Sequence, residues 1–249
     1  MSKFVLIGGG ECGRPGTNYE TEAIDREIIE LSGKYSPNYL LIALGNDSPD
    51  LYYKTMKKIY NDTFACKTDE LRLFDLDNYN VIREKIVWAD IIYVGGGNTL
   101  KLMNRFRRYG IDTLLNAAYY QNKILCGLSA GAICWCDYGN SDSLKFYDGE
   151  KKLIKVRGLG FLHILLCPHF DVQPYRKSSL KEMMKTTYKI PALALENGAA
   201  LEVIDNKFRI ITSMEKAKGI KCFWKKDMYY ENILERDVFH ELSDLYIRE

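Results

Sequence analysis

Short apolar runs that alternate with helix-like segments are the feature that most restricts the fold of this 249-residue chain. In the first half, apolar runs occupy residues 4–7, 39–44, 71–74, 90–94 and 123–126. Polar segments with a helical period lie between them, at about 19–31, 49–60, 100–108 and 111–120. Short buried strands separated by such helices are typical of βαβ units that build a parallel sheet.

The expected architecture is therefore an α/β three-layer sandwich, with helices on both faces of a largely parallel sheet. A chain of this length is expected to form one domain. Three predicted strands end at Gly8, Gly95 and Gly127, and the carboxyl edge of a parallel sheet is where ligands bind. We therefore expect these strand ends to converge on one rim. Farther along the chain, strands at 200–204 and 207–212 predict a hairpin.

Composition argues against several classes of protein. The net charge is only +2, and no basic run is interleaved with aromatic residues, so nucleic-acid binding is not expected. The longest apolar runs are far shorter than the ~20 residues that span a bilayer, so no membrane association is expected. The apolar run at 4–7 is too short for a signal peptide. We expect a cytoplasmic protein.

Metals and organic cofactors are also not expected. The chain has seven cysteines, and Cys134-Trp135-Cys136 lacks both C-x-x-C spacing and an accompanying histidine cluster. The stretch Gly8 to Gly13 matches the dinucleotide pattern G-x-G-x-x-G. However, Arg14-Pro15-Gly16 interrupts the helix that should start there, and the second predicted strand does not end in an acidic residue.

The pattern G-x-S-x-G at Gly127 to Gly131 lies between a predicted strand and a helix-compatible segment. Small residues on both sides of a serine allow a sharp strand-to-helix turn that exposes the hydroxyl. The helix that follows offers backbone N–H groups to a developing oxyanion. Ser129 is therefore the predicted nucleophile of a serine hydrolase.

A nucleophilic serine needs a base, and the chain has three histidines. His169 follows an apolar run and lies just beyond a predicted strand end, whereas His163 and His240 lack that position. Glu196 and Asp171 are both placed to be the acid that orients the imidazole, and position alone does not separate them. Gly97, in the glycine run that precedes Asn98, lies where its N–H could complete an oxyanion hole.

Four ordered segments resemble the peptidase E and cyanophycinase family of serine peptidases, peptidase family S51. They are Gly95 to Thr99, Gly127 to Gly131, Pro168-His169-Phe170 and Glu196-Asn197-Gly198. The resemblance implies a flavodoxin-like or class I glutamine amidotransferase-like fold. It also implies Ser129, His169 and Glu196 as catalytic residues, Asp171 as the alternative acid, and the N–H groups of Gly97 and Ala130 as oxyanion donors.

The resemblance further implies a small peptide substrate, with aspartyl peptides as one class. An aspartyl carboxylate would need a cation, and Arg176 is the candidate, with Asn98 as a second substrate-binding residue. A cyanophycinase-like site tends to carry several arginines after the His-Phe pair, whereas only Arg176 follows closely here. This departure argues against β-aspartyl-arginine specificity.

Two alternatives to this function stay open. An α/β-hydrolase esterase would use the late histidine, His240, with an acid such as Asp205. A catalytically silent binding protein could keep the same fold. The sequence is compatible with a homodimer but does not determine the oligomeric state.

Overall fold

The computed structural model describes residues 3–145, 152–187 and 189–247. Within these ranges the strands are β1 Lys3–Ile7, β2 Asn38–Ile42, β3 Lys67–Leu71, β4 Ile91–Val94, β5 Ile124–Leu128, β6 Cys136–Ser141, β7 Ile154–Arg157, β8 Leu162–Cys167, β9 Ala192–Leu195, β10 Ala199–Ile204, β11 Lys207–Thr212, β12 Gly219–Lys225, β13 Met228–Ile233 and β14 His240–Glu241. The α-helices are α1 Glu22–Ser32, α2 Pro49–Lys58, α3 Tyr79–Trp88, α4 Thr99–Arg108, α5 Ile111–Tyr119, α6 Ala130–Ile133, α7 Tyr175–Lys185 and α8 Leu242–Tyr246.

Eight of the strands form the main sheet, in the order β14-β11-β10-β1-β5-β4-β2-β3. The five from β1 to β3 in this order are parallel, and β10 joins the edge of β1 in the antiparallel sense. Ile7 pairs with Leu128, and Val94 pairs with Gly127, so these strand ends lie at one edge, as predicted. The α/β architecture expected from the alternating pattern is confirmed.

Alternating side chains of β1 pack into two different cores. Val5 and Ile7 join the cluster that contains α1 and α2. Phe4 and Leu6 join the cluster that contains α3, α4 and α5 on the opposite face. The sheet is therefore covered on both faces, which explains why its strands read as continuous apolar runs.

A second sheet was not predicted. Its six strands run in the order β13-β12-β9-β8-β6-β7, and β8 is parallel to both of its neighbours, β6 and β9. Its residues Ile164 and Leu166 join the same cluster as Phe4 and Leu6, so the largest core spans both sheets. The strand β8 ends beside β1, where the amide of His169 donates to the carbonyl of Gly8 at 3.1 Å.

One predicted strand is displaced and one predicted hairpin is confirmed. The strand expected at 71–74 lies at Lys67–Leu71, and Leu73–Asp77 forms a 3₁₀ helix instead. This strand is at the edge of the sheet, so its polar residues escape burial and the apolar pattern misleads. The hairpin of β10 and β11 turns at Asp205, which has a left-handed φ of 54°. Within the described ranges, no helix combines the length and apolar character needed to cross a bilayer.

Candidate active site

Ser129 lies on a sharp turn between β5 and α6. Its φ of 55° and ψ of −109° are rare for a residue with a side chain, and such strain is common at functional sites. The turn needs the flanking glycines, because a Cβ at Gly131 would lie 1.8 Å from the carbonyl oxygen of Val94. The amide of Ser129 donates to the carbonyl of Ile7 at 2.9 Å, which fixes the turn to the neighbouring strand.

His169 is the histidine that the structure brings to Ser129. Its Nε2 lies 2.8 Å from Ser129 Oγ, although 40 residues separate the two in sequence. The residue follows β8 with a left-handed φ of 54°, so both members of the pair have strained backbones. Burial lowers the pKa of His169 below its ordinary value of 6.5. At neutral pH the imidazole is therefore uncharged and can accept the serine proton.

Asn197 occupies the position next to the other imidazole nitrogen. Its Oδ1 lies 2.8 Å from His169 Nδ1, and an amide oxygen can only accept a hydrogen bond. This contact selects the tautomer with hydrogen on Nδ1, which leaves Nε2 as an acceptor for Ser129 Oγ–H. Asp171 supports the arrangement indirectly, because its carboxylate accepts a hydrogen bond from the backbone N–H of Asn197 at 2.9 Å.

The predicted acid Glu196 therefore requires a correction. The side chain beside His169 Nδ1 is that of Asn197, one residue later in the chain. Glu196 is partly exposed, and its backbone amide donates to the carbonyl of Lys218 at 3.0 Å. Burial, followed by the charge of Asp171, raises the pKa of Glu196. Successive side chains at a strand end point in different directions, so the sequence did not reveal which of the two reaches the imidazole.

Gly9 makes room for the contact between His169 and Asn197. A Cβ at this position would lie 2.1 Å from Asn197 Oδ1 and 2.3 Å from His169 Nδ1. The carbonyl of Gly9 also accepts a hydrogen bond from the amide of Gly198 at 2.9 Å. The glycines that resemble a dinucleotide motif in the sequence thus contact the histidine side of the candidate site. Sequence analysis missed this role, and the glycine run at the end of β1 is the signal that could have revealed it.

The two predicted oxyanion donors, Ala130 and Gly97, lie on different segments. Ala130 is the first residue of α6 and follows the serine directly. On the other side, a Cβ at Gly96 would lie 3.8 Å from the Cβ of Ser129, so Gly96 is a neighbour of the candidate nucleophile. Gly97 has a φ of 138°, and a Cβ there would lie 2.3 Å from the carbonyl oxygen of Gly45. The roles of Gly97 and Ala130 as oxyanion donors stay predictions.

The structure gives Asn98 a different environment from the one predicted. It is 1% exposed, its Nδ2 donates to the carbonyl of Ser143 at 3.1 Å, and its Oδ1 accepts from the Lys101 amide at 3.0 Å. Asn98 thus caps α4 and ties it to a loop. Its side chain has no open approach for a substrate.

Arg176 is also enclosed within the protein. The residue is 1% exposed, and its Nε donates to Gln173 Oε1 at 2.7 Å. Its Nη1 donates to the carbonyl of Asn140 at 2.7 Å, and its Nη2 lies 3.6 Å from the carboxylate of Asp142. A buried arginine with an acidic partner is not an open cation for a substrate carboxylate, which corrects the predicted role.

The residues of the esterase alternative lie far from Ser129. His240 is on β14, four strand positions from β5, or about 19 Å at about 4.8 Å per strand. Asp205 follows the far end of β10, at the opposite edge of the sheet from Ile7 and Ala200. The structure therefore does not assemble Ser129, His240 and Asp205 into one site.

Comparison with known proteins identifies relatives along most of the chain. The model of peptidase family S51 matches residues 4–211. The uncharacterized peptidase YgaJ from Bacillus subtilis is 28% identical over 222 residues, which cover 89% of this chain and 92% of YgaJ. The uncharacterized peptidase Lin0382 from Listeria innocua is 29% identical over 132 residues, which cover 52% of this chain and 61% of that protein.

A solved structure shares the fold. The crystal structure of a peptidase from an acI-B1 actinobacterium superimposes with a TM-score of 0.70 at 17% identity. The superposition covers 96% of each chain, so both sheets lie within the shared architecture. At this identity the likeness concerns the fold alone.

Proposed function

This chain belongs to peptidase family S51 and is a peptidase; we propose that it hydrolyses short peptides through an acyl-enzyme intermediate on Ser129. The observation that carries the proposal is the 2.8 Å contact between Ser129 Oγ and His169 Nε2, at a strained turn on the carboxyl edge of the main sheet. A serine paired with an uncharged imidazole is the arrangement that nucleophilic acyl transfer requires.

In the first half of the reaction, Ser129 Oγ attacks the peptide carbonyl carbon while its proton passes to His169 Nε2. The negative charge that develops on the carbonyl oxygen is stabilised by the N–H groups of Gly97 and Ala130. The protonated imidazole then gives its proton to the leaving nitrogen as the C–N bond breaks. The products of this step are the free amine and an ester on Ser129.

In the second half, His169 removes a proton from water, and the resulting hydroxide attacks the ester carbon. The bond to Ser129 Oγ breaks, and the proton on Nε2 returns to that oxygen. Asn197 holds the imidazole in one tautomer through both halves. Because this partner is an uncharged amide, the imidazolium is stabilised less than it would be beside a carboxylate.

The proposal is limited to short peptides as substrates. It does not include a preference for aspartyl residues, because the cation on which that preference depended is buried in contact with Asp142 and Asn140. Relatives named as peptidases support the reaction class, and their names do not specify the peptide.

A fluorophosphonate probe tests the nucleophile directly. We expect the probe to modify Ser129, as located by peptide mass spectrometry, and the Ser129→Ala variant to be neither labelled nor active on dipeptides. Ser178→Ala, at an exposed position on α7, is a control that should keep both properties. Absence of labelling in a folded wild-type sample would contradict the proposal and favour a catalytically silent binding protein.

A further inference from the structure

A cavity of about 180 Å³ opens next to the candidate nucleophile. Leu128 lines it and directly precedes Ser129, while Gly96 lines it and approaches the Cβ of Ser129. Ligand pockets for whole small molecules usually measure about 300–1,000 Å³. This cavity is therefore suited to one side chain of a peptide whose scissile bond lies at Ser129.

The walls of the cavity are mostly uncharged. Cys12 and Tyr52 line it and are buried, and Leu51 lines it with a half-exposed side chain. The uncharged polar residues Asn46 and Ser48 complete this part of the lining. Burial raises the pKa of the Cys12 thiol to about 11, so this group is neutral at physiological pH. A side chain that enters would exchange water for contact with leucine, tyrosine and thiol surfaces, which favours apolar groups.

The charged side chains that line the cavity neutralise each other. Arg14 Nε donates to Glu11 Oε2 at 2.8 Å, and Arg14 Nη2 donates to Glu11 Oε1. This paired geometry uses both carboxylate oxygens and both facing nitrogens of the guanidinium. The carboxylate of Glu20 accepts a hydrogen bond from the backbone amide of Glu11 at 2.9 Å, which adds a further acidic group nearby. Among the described residues that line the cavity, the one cationic side chain, Arg14, is thus already paired with a carboxylate.

We propose that this cavity is the side-chain subsite of the peptidase, that it takes an uncharged and mainly apolar residue, and that the pairing of Arg14 with Glu11 disfavours acidic residues. The proposal rests on the proposed reaction at Ser129. An acidic side chain would lose water in the cavity and find Arg14 already bound to Glu11, whereas leucine or phenylalanine loses nothing by leaving water. Glu11 and Arg14 are thus specificity-determining residues, distinct from the residues that perform the chemistry.

A series of peptides that differ at one residue tests the subsite. The residue whose carbonyl is attacked is varied among Leu, Asn, Asp and Lys. Asn and Asp have nearly the same shape and differ in charge, so their comparison isolates the effect of charge. For the wild type we expect kcat/KM to be highest for Leu and at least about tenfold lower for Asp than for Asn, a factor typical of one unfavourable charge interaction.

Substitutions of the ion pair should change this preference in opposite directions. Glu11→Gln leaves the guanidinium of Arg14 without its carboxylate, so the Asp/Asn ratio should rise about tenfold. Arg14→Gln leaves Glu11 unpaired, so the ratio should fall and Lys should become a better substrate. Glu182→Gln removes the acid of a similar exposed pair with Lys185 on α7, and it should leave the ratio unchanged.

Binding gives a readout that does not depend on catalysis. Calorimetric titration of the same peptides into Ser129→Ala should give affinities in the order expected for kcat/KM, and adding Glu11→Gln should raise the affinity for the Asp peptide relative to the Asn peptide. An equal Asp/Asn ratio in wild type and Glu11→Gln, or a wild-type preference for Asp, would overturn the subsite. If fluorophosphonate does not label Ser129 and no peptide is cleaved, but binding keeps the order Leu before Asp, the proposed function fails and the subsite is supported.

Discussion

The two ends of strand β8 carry two histidines in contrasting environments. His163, near the beginning of the strand, has an exposed side chain (69%), and its Nδ1 lies 3.3 Å from the carboxylate of Asp137. His169, just after the end of the strand, is partly buried and lies between Ser129 and the amide of Asn197. The histidine with the acidic partner is thus not the one that meets the candidate nucleophile.

A nearby carboxylate therefore does not by itself place a histidine beside the candidate nucleophile. The carboxyl edge of the main sheet brings the ends of β1, β5 and β8 together, and the strained turn at Ser129 faces that meeting point. The start of β8 lies away from that edge, and the contact between His163 and Asp137 there is exposed to solvent, where polar pairs contribute little. Position relative to the sheet and burial therefore distinguish the two histidines better than the identity of their hydrogen-bond partners does.

The largest expected effect comes from replacing the two histidines in turn. His169→Ala should lower kcat/KM by about 10⁴-fold and abolish fluorophosphonate labelling, because the serine loses its base. His163→Ala should change the same rates by less than about twofold, because exposed sites away from the chemistry have small effects. A larger loss of kcat/KM in His163→Ala, or in the separate variant His240→Ala, than in His169→Ala would contradict the assignment of His169 as the base.

A second prediction concerns the space beside His169. Gly9→Ala places a methyl group where Asn197 Oδ1 and His169 Nδ1 now lie, so the imidazole must move. Since a misplacement of about 1 Å can cost about 10²-fold, we expect a loss of that order in kcat. Steady-state kinetics measures the loss, and circular dichroism verifies that the variant is folded. An unchanged kcat in the folded variant would mean that this contact does not position the base.

Replacing Asn197, the hydrogen-bond partner of His169 Nδ1, should lower kcat by a smaller factor. Asn197→Ala removes a hydrogen bond to Nδ1, and the lost interaction should lower kcat by about tenfold to a hundredfold. Glu196→Gln is the matched control at the neighbouring residue, and it should change kcat by less than about threefold. Steady-state measurement of kcat on one dipeptide compares the two variants. A larger loss in Glu196→Gln would restore the glutamate as the orienting residue.

The smallest expected effect is a shift of the pH profile. Burial lowers the pKa of His169, and the reaction needs the uncharged imidazole, so the acidic limb of kcat/KM should have its midpoint below 6.5. Asn197→Asp places a carboxylate against Nδ1, stabilises the imidazolium and should move that midpoint to higher pH. Asp137→Asn, which changes the partner of His163, should leave the profile in place. A shift in the Asp137 variant instead would reassign the titrating base.

Much of this arrangement could be predicted from the sequence, because its signals are local. The strands that precede Gly8, Gly95 and Gly127 are visible as apolar runs with glycines at their ends. The turn at Ser129 needs small neighbours within a few residues, and a motif of that kind is readable in one dimension. The second sheet was harder to predict, because β7 is followed by β8, and β12 by β13, without an intervening helix that would mark a βαβ unit.

The sequence by itself determined the βαβ architecture, the serine at the turn and a short list of histidines. The tertiary structure decided that Asn197 rather than Glu196 meets His169, and that Arg176 is enclosed beside Asp142. The physical reason is that a turn is specified by the steric needs of adjacent residues. A contact across 28 residues of chain instead depends on how two strand ends are rotated and packed against each other.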